Sequence, residues 1–116
     1  MKDLVTFDSV FLYREAVDMR RSLDGLSEIV RHKMGKPLDG KFLFVFVGKS
    51  RDRIKLLYWD RTGYALLYKR LEKGKFPWPK HGDIVHYISP RFFTHLLEGV
   101  DVFIKPHDSV EISQVW

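Results

Sequence analysis

The sequence contains no cysteine, which excludes disulfide bonds, thiolate metal sites and a catalytic thiol. It also has no apolar run approaching the roughly 20 residues that a membrane-spanning helix needs. The first ten residues carry Lys2, Asp3 and Asp8 where a signal peptide would have its apolar core. We therefore expect a cytoplasmic protein that does not contact a membrane.

The sequence has fewer acidic than basic residues, and the excess of basic residues is concentrated in the middle of the chain. The 116 residues include 20 Lys and Arg against 15 Asp and Glu, a net charge of +5 at pH 7. Residues 48–80 hold ten basic and three acidic side chains. Clustered cations attract phosphate, which favours DNA as a partner, although charged residues also gather on the solvated edges of ordinary hairpins. The candidate nucleic-acid-binding residues are Lys49, Arg51, Arg53, Lys55, Arg61, Lys69, Arg70, Lys73 and Lys75.

Two segments have the pattern of helices in what we expect to be a single domain over residues 1–116. Leucine, isoleucine and valine recur at helical spacing over 22–34, and Gly35 and Pro37 follow. Ser89 and Pro90 predict the start of a second helix, over 90–98. The remaining segment, 100–116, alternates loosely and is compatible with an edge strand.

The strand pattern is strongest in the middle of the chain. The almost wholly apolar run 41–47 predicts a central strand buried on both faces, and runs at 54–59 and 64–71 follow after short polar turns. Shorter runs at 10–13 and 84–88 predict two further strands. Because the turns between the central runs are too short for crossover helices, we predict an α+β fold. Its sheet would be an antiparallel β-sheet meander of three to five strands, with two helices packed on one face.

Aromatic residues alternate with the basic residues of this region. Because successive side chains of a strand point to opposite faces, Arg53 and Lys55 are expected on one face, and Ile54 and Leu56 on the other. Exposed rings beside such cations stack on unpaired bases, but large rings more often pack in the core. The candidates for stacking or docking are Trp59, Tyr64, Phe76 and Trp78. Two prolines close together predict that 76–79 is a loop whose rings tuck against the sheet.

The motifs of catalytic and metal sites are weak or incomplete. Asp18, Asp24, Asp52 and Asp60 are the carboxylates available for two-metal phosphoryl transfer, but a helix start and turns already account for their positions. The five histidines lack the spacing of a zinc site. Gly48-Lys49-Ser50 is similar to the end of a phosphate-binding loop, but Phe44 stands where that loop needs glycine. We therefore predict a non-enzymatic protein without catalytic residues, metal or cofactor.

Two blocks of the sequence resemble the small TnpB-type accessory protein encoded by the IS-sixty-six family of bacterial insertion sequences. They are Asp18-Met19-Arg20-Arg21-Ser22-Leu23-Asp24-Gly25-Leu26 and the region from Phe44 to Pro79, which includes Asp52-Arg53-Ile54-Lys55-Leu56-Leu57-Tyr58-Trp59-Asp60 and Phe76-Pro77-Trp78-Pro79. The resemblance implies a protein that acts beside a separate, larger transposase and has no firmly assigned chemistry of its own.

Two hypotheses for the function follow. In the first, the protein is an accessory factor in DNA transposition that binds nucleic acid through a basic β-hairpin surface. In the second, it docks on the element-encoded transposase without touching DNA, through Phe92, Phe93 and the loop 76–79. The sequence leaves open whether the DNA is single- or double-stranded, and it leaves open the oligomeric state.

Overall fold

The computed structural model describes residues 7–99 and Phe103, so the edge strand considered for 100–116 lies outside the described residues. Within the described residues the chain forms a five-stranded sheet, whose strands are β1 (Ser9–Tyr13), β2 (Phe42–Val47), β3 (Arg53–Asp60), β4 (Gly63–Arg70) and β5 (Val85–Ile88). They lie in the order β4-β3-β2-β1-β5. The five strands predicted within the described residues are therefore present, and each of their ends lies within one residue of its predicted position.

The sheet is mixed, which corrects the predicted antiparallel meander. Strands β2, β3 and β4 do form a meander, with Val45 opposite Leu56 and Leu56 opposite Leu67. Strand β1, however, runs parallel to β2 and antiparallel to β5. The short turns of the meander excluded crossover helices only between residues 41 and 71. Parallel strands require a long crossover, and the segment between β1 and β2 contains the first helix.

Both predicted helices are present. The first begins as α1 (Leu23–Glu28) and continues as a wider π-helical segment, Ile29–Met34. It ends at Gly35, whose left-handed φ of 66° suits glycine. The second helix, α2 (Pro90–Leu97), starts with Ser89 as N-cap, whose hydroxyl accepts a hydrogen bond from the Phe92 amide at 3.2 Å. No helix in the described residues is long and apolar enough to cross a membrane.

The two helices cover opposite faces of the sheet, so the prediction that they pack on one face is wrong. On one face, Val45 and Leu56 belong to the same buried cluster as Phe93 of α2. On the other face, Phe44 and Leu57 belong to a second cluster, which also holds Leu26, Ile29, Val30 and Met34 of the first helix. Strand β2 is buried on both faces, as predicted, and a strand of that kind needs cover on both.

The loop between β4 and β5 supplies core residues to the α2 side. Phe76 and Trp78 belong to the same cluster as Phe93 and are 2% and 6% exposed. The Trp78 indole N–H donates a buried hydrogen bond of 3.1 Å to the Tyr13 carbonyl oxygen. The prediction that these rings tuck against the sheet is confirmed, and the loop passes from one edge of the sheet to the other.

Candidate nucleic-acid interface

The turn between β2 and β3 begins the candidate interface. The Arg51 amide donates to the Gly48 carbonyl oxygen at 3.0 Å, and the Gly48 amide donates to the Arg53 carbonyl oxygen at 2.9 Å. Arg51 has a φ of 68°, in the left-handed region. A turn followed by one left-handed residue is a common hairpin connection, but glycine usually takes that last position. The chain therefore has an arginine at a position where glycine would adopt the same backbone conformation at a lower free-energy cost.

An open groove of about 900 Å³ lies beside this turn. One side is formed by residues 16–20 and the other by the turn and the start of β3, with Lys49, Ser50 and Arg53. The sides are joined because the Val17 amide donates to the Val47 carbonyl oxygen at 2.9 Å. Gly48 permits the close approach, since a Cβ there would lie 2.8 Å from the Met19 Cγ. The groove thus brings together residues that are distant in sequence.

The acidic group that lines the groove, Asp18, and the one in the adjoining turn, Asp52, already have partners. Arg20 donates from Nε and Nη2 to the Asp18 carboxylate, at 3.0 and 2.6 Å, and these bonds hold the pKa of Asp18 well below its usual range. The Ser50 hydroxyl donates to Asp52 and lowers the pKa of that carboxyl, with smaller contributions from the charges of Arg53 and Arg70. The Arg53 Nε lies 3.8 Å from the Asp52 oxygen. Both carboxylates are therefore ionised at neutral pH.

Across the hairpin of β3 and β4, two arginines face each other. Arg53 is in register with Arg70, and in the next row of that face Lys55 is in register with Tyr68. This is the face of the first helix, because Leu57 of the same alternation lies in that helix's cluster. The ammonium group of Lys55 donates to the Arg21 carbonyl oxygen at 2.8 Å. The prediction that Arg53 and Lys55 share a face opposite Ile54 and Leu56 is confirmed.

We name the cationic half of this hairpin the basic end. It consists of residues from the turn, the start of β3 and the end of β4: Lys49, Arg51, Arg53, Lys55 and Arg70. A second depression of about 380 Å³ adjoins it and is lined by Arg51, Lys75 and Lys80 around the loop at 76–78. Lys73 is exposed in the same loop. Seven of the nine predicted cations thus belong to one end of the hairpin or to the loop beside it.

The other two predicted cations lie elsewhere. Arg61 is in the turn between β3 and β4, about 25 Å along the strand from Arg53. Lys69 points to the opposite face of the sheet, where its ammonium group donates to the Leu97 carbonyl oxygen of α2 at 3.4 Å. The sheet alternation separates Lys69 from Arg70, so adjacent basic residues do not share a surface.

Of the four rings predicted to stack or dock, two are on the surface. Tyr64 is 43% exposed, and its ring meets that of Trp59 at 4.8 Å in an edge-to-face arrangement. Phe76 and Trp78 lie in the core and offer no face to a base or to another protein. We correct their predicted role accordingly. The same holds for Phe93, which is fully buried, so the predicted docking surface is largely core.

Within residues 7–99 and Phe103, no three His, Asp or Glu side chains lie together in a way that could hold a metal ion. The carboxylates considered for two-metal chemistry are dispersed. Asp18 pairs with Arg20, and Asp60 is at the end of β3 next to Arg61, far from the groove. Nothing in this geometry brings the predicted carboxylates to one centre.

Comparison with known proteins identifies the family. A family model described as "IS66 Orf2 like protein" matches residues 8–105. The chain belongs to this family. Two relatives from Sinorhizobium fredii (strain NBRC 101917 / NGR234) are the uncharacterized proteins y4jC and y4hO. The first is 37% identical over 93 residues, 79% of each chain, and the second is 39% identical over 85 residues, 72% of this chain and 73% of the relative. No solved structure matches.

Membership in the IS66 Orf2-like family implies an accessory role associated with transposition, in the company of the element's transposase. The family is not a known catalytic one. The resemblance drawn from the two sequence blocks is thereby confirmed. The matched range includes both sides of the groove and the whole hairpin of β3 and β4.

Sequence reasoning missed Arg20 as a contributor to the groove, and it considered Asp18, which also lines the groove, only as a carboxylate for metal binding. It also missed Arg21, whose carbonyl oxygen accepts the hydrogen bond from Lys55. These three residues lie within residues 1–47, where basic and acidic side chains nearly balance. The signal was available, since residues 18–26 formed one of the two blocks typical of the family. A count of charges along the sequence does not show which segments lie close together, and it is the pairing of Val17 with Gly48 that brings these residues to the turn.

The left-handed arginine of the turn leads to a first prediction. Replacing Arg51 with glycine is expected to raise the free energy of unfolding by about 1 kcal/mol, because glycine adopts a positive φ without steric cost. Replacing Arg51 with alanine is the control, since alanine removes the side chain and keeps the backbone strain. Urea unfolding of both variants, followed by circular dichroism, measures the difference. Equal stabilisation by alanine would assign the cost to the guanidinium, whose Nη1 is buried without a hydrogen-bond partner among the described residues.

Proposed function

We propose that this protein is a non-enzymatic accessory factor of transposition that binds DNA through its basic end. The observation that carries the proposal is the pairing of Arg53 with Arg70 directly across β3 and β4. Like charges in register destabilise a sheet, and the single carboxylate of Asp52 beside Arg53 offsets only one of the two positive charges. A DNA phosphate held by both guanidinium groups balances the remaining charge and matches their hydrogen-bonding geometry.

The surrounding charges support the same function. Five cations form the basic end, whereas Arg20 engages the Asp18 carboxylate in the groove and Ser50 engages the Asp52 carboxylate in the turn. Neutralising cations with phosphates releases counterions from DNA, and this term supplies most of the affinity of sequence-independent binding. We therefore expect contacts to the DNA backbone to dominate, with the groove and the depression at Lys75 and Lys80 extending the path of the strand.

A role in docking on the transposase without DNA contact is less well supported by the surface. Its predicted residues Phe76, Trp78 and Phe93 are buried, so that contact would need another patch. Our proposal of the transposase as a partner rests on family membership alone. DNA contact is the function to which the basic end is suited.

A DNA titration at two salt concentrations tests the proposal. Fluorescence anisotropy of labelled DNA, without transposase, is measured at 50 and 200 mM salt. If four or five phosphates are contacted, affinity is expected to fall at least about 100-fold over this range. The variant Arg53→Gln/Arg70→Gln should bind more weakly at 50 mM salt. Its affinity should also depend less steeply on salt, by the amount that corresponds to about two fewer phosphate contacts.

The matched control is Arg61→Gln/Lys69→Gln, which removes two positive charges at the far turn and on the opposite face. This variant is expected to keep nearly the wild-type affinity. Equal weakening by both double variants would mean that net charge alone is responsible and would reject the basic end as the interface. Absence of salt-dependent binding by the wild-type protein would reject DNA contact altogether.

A further inference from the structure

Two exposed tyrosines stand on the same face of β4. Tyr64 is 43% exposed and Tyr68 is 53% exposed, and they are four positions apart, so their rings project to one side of the strand. Large rings are usually buried at least in part, and a tyrosine more than half exposed gains little from packing. In the described residues β4 forms an edge of the sheet, and both rings remain exposed although Leu66 between them packs against the cluster of the first helix.

The same face carries the cations of the basic end. Starting from the turn, its successive cross-strand rows are Arg53 with Arg70, Lys55 with Tyr68, Leu57 with Leu66, and Trp59 with Tyr64. Rows on one face of a strand are about 6.6 Å apart. The charge therefore lies at one end of the face, and exposed rings continue from it along the strand. We name this set of rows the hairpin face.

Such an arrangement is suited to unpaired bases. Proteins that bind single strands combine cations that follow the phosphates with aromatic rings on which successive bases stack. In a duplex the faces of the bases are covered by their neighbours, and only base edges are accessible, in the grooves. Exposed rings on the face of an edge strand therefore add binding energy only when the bases are unstacked and free.

We infer that the hairpin face binds single-stranded DNA in preference to duplex, with phosphates at Arg53, Arg70 and Lys55 and bases stacked on Tyr68 and Tyr64. This inference rests on the proposed function, because it names the form of DNA that the basic end takes. The half-buried Trp59 holds the Tyr64 ring from the side through their edge-to-face contact. Tyr68 stands next to Lys55 in register, so a base on its ring places the adjoining phosphate near the ammonium group.

The experiment compares a labelled single strand with the duplex of the same sequence, at one salt concentration. The wild-type protein is expected to bind the single strand at least about 10-fold more tightly. Replacing Tyr64 and Tyr68 with alanine should weaken binding to the single strand by about 30-fold or more, and binding to the duplex by less than about threefold. Phenylalanine at both positions should restore the affinity for the single strand, since it keeps the aromatic face.

The matched control is Tyr87→Ala. Tyr87 is 61% exposed and lies on the same face, since it is in register with Phe11, but on β5 at the opposite edge of the sheet. Its removal should leave binding to both forms unchanged. If the double variant loses stability, the single variant Tyr68→Ala is measured in its place, because Tyr68 is the more exposed of the two rings. Circular dichroism confirms that each variant is folded.

The outcomes separate the inference from the proposed function. Binding to the duplex that equals or exceeds binding to the single strand overturns the inference and leaves DNA contact intact. Unchanged affinity for the single strand in folded Tyr68→Ala also overturns it, because the rings then contribute nothing. Failure of both DNA forms to bind removes the proposed function itself.

Discussion

Replacing Trp78 with alanine is expected to lower the free energy of unfolding by about 3–5 kcal/mol. The side chain is 6% exposed and packs in the cluster that contains Phe93 and Leu96 of α2, so its removal leaves a large cavity between the sheet and the helix. The substitution also deprives the Tyr13 carbonyl oxygen of its buried donor. Urea unfolding monitored by circular dichroism gives the change directly.

A second variant separates the loss of the indole donor from the loss of apolar volume, and a third is the control. Trp78→Phe keeps much of the apolar volume and removes the indole donor, so a loss of about 1–3 kcal/mol is expected. Lys80→Ala, at an exposed position of the same loop, should change stability by less than about 0.5 kcal/mol. A Trp78→Ala variant as stable as the wild type would contradict the core role of the ring and revive the loop as a docking surface.

Reversing both arginines of the facing pair is expected to have the largest effect on DNA binding. In Arg53→Glu/Arg70→Glu, two contacts that attract phosphate become repulsive, and we expect affinity at 50 mM salt to fall at least about 100-fold. The matched variant Arg61→Glu/Lys69→Glu has the same net charge and should lose far less. Comparable losses in the two variants would place the interface away from the basic end.

A substitution in the pair of Arg53 and Arg70 is expected to change DNA affinity and the free energy of unfolding in opposite directions. Arg70→Glu alone creates an ion pair with Arg53 across the strands, and we expect the free energy of unfolding to rise by about 0.5 kcal/mol while DNA binding weakens. The double reversal places two glutamates opposite each other and beside Asp52, so its stability should be lower than that of Arg70→Glu. A destabilised Arg70→Glu would show that the attraction between Arg70 and the Asp52 carboxylate outweighs the repulsion between the two guanidinium groups.

Local structure was largely predictable from the sequence. The first helix, between Ser22 and Gly35, follows from apolar spacing and from a glycine that accepts a left-handed conformation. The second helix follows from Ser89 as N-cap and Pro90 in the first turn. Each of these signals acts within a few residues, through backbone geometry and capping hydrogen bonds, so no knowledge of distant contacts was needed.

The arrangement of layers was predictable in principle, and we predicted it wrongly. The run at 41–47 indicated a strand buried on both faces, and such a strand cannot have both helices on one side of it. Phe44 and Phe46 indeed pack against the first helix, whereas Val45 lies on the side of α2. The parallel pairing of β1 with β2 follows from the same helix, which lies between them in the chain.

For the candidate interface, sequence determined which side chains share a face, and tertiary structure determined which of them meet. Alternation along a strand put Arg53 with Lys55 and apart from Ile54, since that period belongs to the backbone itself. Only strand register could place Arg53 opposite Arg70, and only the pairing of Val17 with Gly48 could bring Arg20 to the groove. Register and pairing depend on contacts between segments far apart in the chain, which composition and local pattern do not specify.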